Sequence, residues 1–308
     1  MMGILAGIED ATGMDLRDCE TFVGTSAGAI LAAHLASGRS PRRPPLSARR
    51  PAAGPDERRP WHGTEPLGAD HGAVASLGLL AAHLGGRAAL TAGRPLVPLA
   101  LRIGAPAGAL ARSVLLRGLP GGSAGHGALR RRVSRLGAAF DGRLRVVAVD
   151  RETGARVVFG SPGAPDAGVA DAVVASCAVP GRFAPVTIGG RRYVDGGTWS
   201  LTNLDAAPAG RDTQVLCLNP VAGLAATGAT AAPRAFARAA AAVERQALLA
   251  RGARVLVLTP DDACAAELGA DPMDPGPRAS VLASGYRQGA TLAAALSPSA
   301  PRADQAGC

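Results

Sequence analysis

The sequence predicts an α/β domain built on a mainly parallel sheet, and three observations carry that expectation. Short apolar, β-branched runs such as residues 144–149 and 255–258 alternate along the chain with alanine-rich helical runs. A β-prone run, Thr21-Phe22-Val23, leads through Gly24-Thr25-Ser26-Ala27-Gly28 directly into a helical stretch ending near Leu35, the layout of a strand–turn–helix elbow with a serine at its apex. Apolar residues make up 47% of the 308, ample for a single large core.

Taken in order, residues 3–11 read as a helix that stops near Gly13, followed by the strand and helix of the elbow. Residues 39–66 are crowded with arginine and proline, which cannot pack, and are expected to form a disordered surface loop. Residues 67–142 read as a Gly/Pro-interrupted, partly helical insertion, with 76–84 and 129–139 its better helical stretches. Residues 144–149 and 157–159 are expected strands and 169–176 a helix. Two short strands, 186–188 and 192–194, flank a Gly189-Gly190 hairpin turn. Residues 215–218 and 255–258 read as buried strands separated by a helix over 233–251, and a helix over 278–296 precedes a flexible tail, 297–308. No internal repeat is visible, so one domain is expected over 1–308.

Within the elbow, Gly24 and Gly28 are expected because a side chain at either place would strike the tightly turned backbone or the next strand. The pentapeptide alone is a weak signal: with 41 glycines, a chance match is expected in about one such chain in four. A second match, Gly121-Gly122-Ser123-Ala124-Gly125, follows Gly118-Leu119-Pro120, which is no strand, so context selects Ser26 over Ser123. A serine hydroxyl needs a base. All five histidines (His34, His62, His71, His83, His126) precede residue 127, which argues against the Ser-Asp-His order of α/β-hydrolases.

The most specific stretch of the chain reads Val146-Val147-Ala148-Val149-Asp150, then Ala175-Ser176-Cys177-Ala178-Val179-Pro180-Gly181 and Tyr193-Val194-Asp195-Gly196-Gly197, with Asn203 shortly after. With the Ser26 pentapeptide, it resembles the patatin-like phospholipases over residues 3–296, though weakly over 39–142. That resemblance implies a three-layer α/β/α domain and a Ser-Asp dyad, with Ser26 as nucleophile, Asp195 as general base and Gly196 and Gly197 forming the turn after the base. The residues themselves place Asp195 at a strand end, where catalytic carboxylates commonly stand. On spacing alone, an Asp-Gly turn that bonds its own backbone is the simpler reading; the flanking motif favours the base.

The resemblance also implies a first strand and a glycine-rich loop ahead of the first helix, the loop supplying oxyanion-hole N–H groups. Met1-Met2-Gly3-Ile4-Leu5 resembles the middle of that helix, so both are absent from this sequence. Either the true start lies upstream or the chain is a degraded member. The Ala27 N–H and the start of the following helix are then the remaining expected oxyanion donors. Three readings follow: a lipid acyl hydrolase of the phospholipase A or esterase type, a catalytically impaired relative that binds lipid or a protein partner, and a membrane-surface protein acting through its arginine-rich segment.

The formal charge of +9 rests on arginine alone, since lysine is absent, a bias that points to a G- and C-rich genome. Seven arginines (Arg39, Arg42, Arg43, Arg49, Arg50, Arg58, Arg59) still concentrate positive charge over residues 39–59, which suits peripheral contact with an anionic membrane. Nucleic acid is not an expected partner, because aromatic residues are 3% of the chain and stacking platforms are scarce. No apolar run reaches the roughly 18 residues of a membrane span. The start lacks a signal-peptide layout, and five scattered cysteines form no Cys-x-x-Cys pair, so a cytoplasmic location is expected. Neither a metal nor a cofactor is implied; the implied partner is a lipid ester or phospholipid substrate.

Overall fold

Residue 147 is paired on both of its edges, and the sheet is organised about the strand that carries it. The computed structural model describes residues 1–49, 105–119, 122, 124–223, 231–269 and 276–293. In chain order the elements are α1 (Met2–Thr12), β1 (Phe22–Thr25), α2 (Ala27–Ala36), α3 (Leu46–Arg49), α4 (Ala105–Gly118) and α5 (Gly127–Ser134). There follow β2 (Leu144–Asp150), β3 (Arg156–Phe159), α6 (Val169–Ser176), β4 (Val186–Ile188), β5 (Arg191–Asp195), β6 (Gln214–Leu218), α7 (Ala231–Leu249), β7 (Arg254–Leu258), α8 (Asp262–Leu268) and α9 (Arg278–Leu292).

The class is α/β, as the sequence predicts, and the sheet is mixed. β1 runs parallel to β2 over Leu144 to Val147, and β5 runs antiparallel to it over Ala148 to Asp150. β3 is antiparallel along Val146 to Val149, overlapping both registers, so β1 and β5 must share the opposite edge of β2. They therefore meet end to end there, β1 finishing opposite Val147 and β5 finishing opposite Ala148. β4 completes a hairpin with β5 through Gly189 and Gly190, both at positive φ. β6 and β7 form a separate parallel pair.

Alternation along β2 sends Leu144, Val146 and Ala148 into the main core with Leu31, Leu35, Val173, Phe159 and Tyr193, beneath α2 and α6. Val149 and Val194 point the other way, onto Leu116 of α4. Leu248 of α7 packs with Cys217 and Leu204 over the β6–β7 pair.

Several expectations shift. α4 and α8 were not foreseen: α4 lies in the insertion, where glycines blur the helical period, and α8 is only seven residues long, capped by Asp261, whose Oδ1 accepts from Cys264 N. Residues 39–49 are not a free loop. Arg43 pairs with Glu9 and Asp10, Arg49 pairs with Asp10 and lies over Tyr286, and Arg287 donates to Ala48 O. Two carboxylates on α1 thus tie down arginines that composition alone marks as solvated. The rest of the 39–66 segment from residue 50 onward, the helix over 76–84 and the tail 297–308 lie outside the described residues.

α1 and α9 cross with no side chains between their backbones. A Cβ added at Gly3 or Gly7 would run into the carbonyls of Leu282 and Tyr286, and one at Gly289 into Ile4 O. Gly7→Ala is expected to destabilise the fold by about 1–3 kcal/mol, because two packed helices must separate to admit one methyl. A urea titration of wild type and variant checks this; equal midpoints would count against the packing argument.

Candidate active site

Ser26 stands where β1 turns into α2, with φ 53° and ψ −122°. A non-glycine residue in that region carries about 1–3 kcal/mol of backbone strain and persists only when its surroundings hold it. The restraint is Ser176, at the end of α6. Its hydroxyl accepts from Ser26 N at 2.8 Å and donates to Val147 O at 2.6 Å, and its side chain is fully enclosed. One buried hydroxyl thus satisfies the turned backbone of β1 and a carbonyl of β2 at once. Behind the serine, a Cβ on Gly24 would come within 2.6 Å of Ala29 N, so the elbow closes there only with glycine. Gly28 corrects an expectation: a Cβ there meets nothing within 4 Å, because the first turn of α2 aims that position into open space. Among the described residues, the N–H groups of Ala27 and Gly28 reach no backbone acceptor, while Ala29 N donates to Ser26 O. Both free donors stand at the positive end of the α2 dipole.

Asp195 ends β5, one rung along β2 from the level of Thr25. Its backbone N–H donates to Ala178 O at 3.0 Å, and its Oδ1 accepts from Gly197 N at 2.7 Å, the self-bonded turn that spacing predicts. Its Oδ2 is enclosed yet has no hydrogen-bond partner at normal geometry. The two readings of this residue coexist: one oxygen makes the turn and the other remains available. Burial pushes the carboxyl up to about 6, against the opposing pull of the Gly197 N–H and of the Ser26 side chain beside it. The Cys177 thiol adjoins both groups, and burial, then the Asp195 charge, push it well above its ordinary value, so it stays a protonated thiol.

The turn after Asp195 is held closely. A Cβ on Gly196 would strike Val147 O and approach Thr25 Cγ2 at 3.1 Å. Asn203, buried and at φ 47°, donates through Nδ2 to Thr25 Oγ1 at 3.1 Å, to Gly196 O at 3.2 Å and to Ser200 O. Arg112 of α4, its guanidinium pushed down to about 10 by burial, donates to Thr198 O and Gly154 O and stacks on Trp199. In the sequence Ser176 and Asn203 are only letters of a motif; their long-range bonds, 150 and 178 residues apart, leave no local signal.

The other candidates fall elsewhere. The ring nitrogen of His34 contacts Ser40 O, and that of His126 contacts Ala184 O while stacking on Phe183. His62, His71, His83 and Ser123 lie outside the described residues; beside Ser123, Gly122 lies against the backbone of Arg182 and Ala124 bridges Phe183. A shallow recess lined by Leu116, Leu119, Arg151, Pro180, Phe183 and Val194 opens on the face of β5 opposite the Asp195 side chain. Among the described residues, no three His, Cys, Asp or Glu side chains gather to hold a metal, and no helix is long and apolar enough to cross a membrane.

The two elbow glycines are expected to behave oppositely. Gly24→Ala should lose about 1–3 kcal/mol through forced backbone movement, whereas Gly28→Ala should hold or gain up to about 1 kcal/mol from helix propensity. Thermal unfolding of the two variants checks the contrast, and a destabilised Gly28→Ala would contradict it.

A comparison with curated proteins finds no match to the chain. Among protein families, the patatin-like phospholipase model matches residues 2–208, a segment that holds Ser26, Ser176, Asp195 and Asn203. That match spans more than half of the 308 residues, and the chain belongs to the patatin-like phospholipase family.

Proposed function

We propose that this chain hydrolyses carboxylic esters of lipids with a Ser26–Asp195 dyad, through an acyl-enzyme. Family membership implies lipid acyl hydrolysis; the residues are our assignment. The observation that carries it is the free, buried Oδ2 of Asp195 beside a serine held at a strained elbow. Asp195 takes the proton of Ser26 Oγ as that oxygen attacks the ester carbonyl. The tetrahedral oxyanion faces the free N–H groups of Ala27 and Gly28 at the start of α2. The ester C–O bond then breaks, and Asp195 returns the proton to the departing alcohol. Water next gives a proton to Asp195 and attacks the acyl carbon, releasing the carboxylic acid as the proton returns to Ser26.

A base near 6 suits this chemistry, because it is ionised at neutral pH yet closer to the hydroxyl in basicity than an ordinary carboxylate. Peripheral membrane contact has less support from the arginines. Arg43 and Arg49 are engaged by Glu9 and Asp10. Arg39 follows the C-terminal end of α2, whose N-terminal end carries Ser26, about 15 Å away for ten helical residues. An anionic surface docked on Arg39 and Arg42 would face the end of the domain away from the nucleophile.

Ser26→Ala and Asp195→Asn should each lower kcat on a short-chain aryl ester by at least about a thousandfold while remaining folded. A Ser26→Ala enzyme of near-wild-type turnover would overturn the dyad. The pH profile is the second check: kcat/KM should fall about tenfold per unit below pH about 6 as Asp195 protonates, and level off above it. Stability should move the opposite way. Ionising this buried carboxyl disfavours the folded state, so its contribution is best below the ordinary carboxylate value and is lost as pH rises through about 6. Asp195→Asn should therefore be more stable than wild type at pH 8, with the gap closing towards pH 4, as urea titrations at both values would measure.

A further inference from the structure

Helix α7 presents Ala237, Ala240, Ala241 and Leu248 to the interior, the spacing of one apolar helical face, and Glu244 stands in the middle of that stripe with 3% of its surface exposed. A carboxylate there is costly unless it is fully bonded. Its bonds all go to one segment: Oε2 accepts from Thr202 Oγ1 at 2.6 Å and from Leu204 N at 2.7 Å. Between those two donors lies Asn203, in the left-handed conformation at φ 47°. From that geometry its carboxamide reaches Thr25 Oγ1, one residue before Ser26, and Gly196 O, one residue after Asp195. Arg156 holds the other side of the segment by pairing with Asp205 at 2.8 Å. Burial and Asp205 raise the pKa of Glu244, while Thr202, Ser200 and the Leu204 N–H favour its charged form. The family match ends at residue 208, so this acid comes from outside the matched segment.

We propose that Glu244 is a positioning residue for ester hydrolysis, fixing residues 202–204 so that Asn203 braces Thr25 and Gly196 on the two sides of the dyad. The inference rests on the Ser26–Asp195 reading. It concerns alignment, so its signature is a fall in kcat of the folded enzyme at little-changed KM, with rescue by a side chain that keeps one accepting oxygen. An apolar side chain at 244 would remove the acceptor, leaving the buried Leu204 N–H unbonded and the half-buried Thr202 hydroxyl with only the long contact to Ser200 Oγ.

The test measures kcat and KM of the full chain on a soluble short-chain aryl ester, corrected for the folded fraction read from unfolding curves. Glu244→Gln should keep kcat within about twofold, and Glu244→Ala should lower it about tenfold or more at similar KM. Thr202→Val removes one donor with little change of shape. It should lower kcat severalfold alone but add little to Glu244→Ala, as coupled sites do. Wild-type kcat per folded molecule in Glu244→Ala would overturn the proposal. If that variant does not fold, wild-type kcat in Thr202→Val would overturn it equally. Ser26→Ala, run alongside, must be inactive; activity there would defeat the dyad reading rather than this one.

Discussion

The site depends on how two strands share one edge of β2. β1 and β5 approach from opposite directions and stop at neighbouring rungs, Val147 and Ala148. Each chain must leave the sheet there, because the other blocks its path. β1 leaves through Ser26 into α2, and β5 leaves through Gly196 into a tight turn. Two residues 169 positions apart in sequence are thereby fixed side by side by ladder hydrogen bonds, the stiffest scaffold a chain offers. The same junction crowds Val147 O, which takes the Ser176 hydroxyl and lies against Gly196. Position 176 therefore favours a small hydroxyl residue, and position 196 excludes any side chain.

Holding the junction shut has an electrostatic consequence. Asp195 loses water without gaining a cation; one oxygen has the Gly197 N–H and the other has no full bond. In most folds such a group would be selected against, since desolvation of a carboxylate is opposed by at least one strong partner. In the proposed dyad that unmet oxygen is the proton acceptor, and burial is also what lifts its basicity. The surrounding groups carry the compensation. Arg112 binds Thr198 O, Asn203 binds Gly196 O, and Arg156 with Asp205 secures the far end of the segment.

What the sequence made legible follows from the range of the interactions involved. The elbow is a local object: a β-prone run, a small-residue turn and an alanine-rich helix lie within 15 consecutive residues, 22–36, and each states its own preference. The hairpin around Gly189-Gly190 is equally local, and with it the place of Asp195 at a strand end. Gly28 misled because its spacing matched a pattern, while the steric need falls on Gly24 alone. Arg43 and Arg49 misled because composition cannot reveal that Glu9 and Asp10 await them on α1. Glu244 was invisible for the same reason. On α7 it reads as a charge in a helical run, and only the fold brings it against Thr202 and Leu204, about 40 residues earlier.

A two-residue site places a heavier demand on its frame than a triad does. With an imidazole between serine and acid, small errors in carboxylate position are absorbed by rotation of the ring, and the acid need only orient it. In the proposed dyad the carboxylate must itself reach Oγ, so an error of about 1 Å in the segment after Asp195 passes directly to the reacting proton, at a cost of order a hundredfold. The short-range restraints on that segment are turn bonds: Gly197 N donates to Asp195 Oδ1, Thr198 Oγ1 to Asp195 O, and Trp199 N and Ser200 N to Gly196 O. The remainder come from distant parts of the chain, from α4 through Arg112, from β3 through Arg156 and from α7 through Glu244. Stiffness at the site is in that sense a property of distant elements converging on one strand junction, and loosening one of them should reveal itself in turnover before it does in substrate affinity.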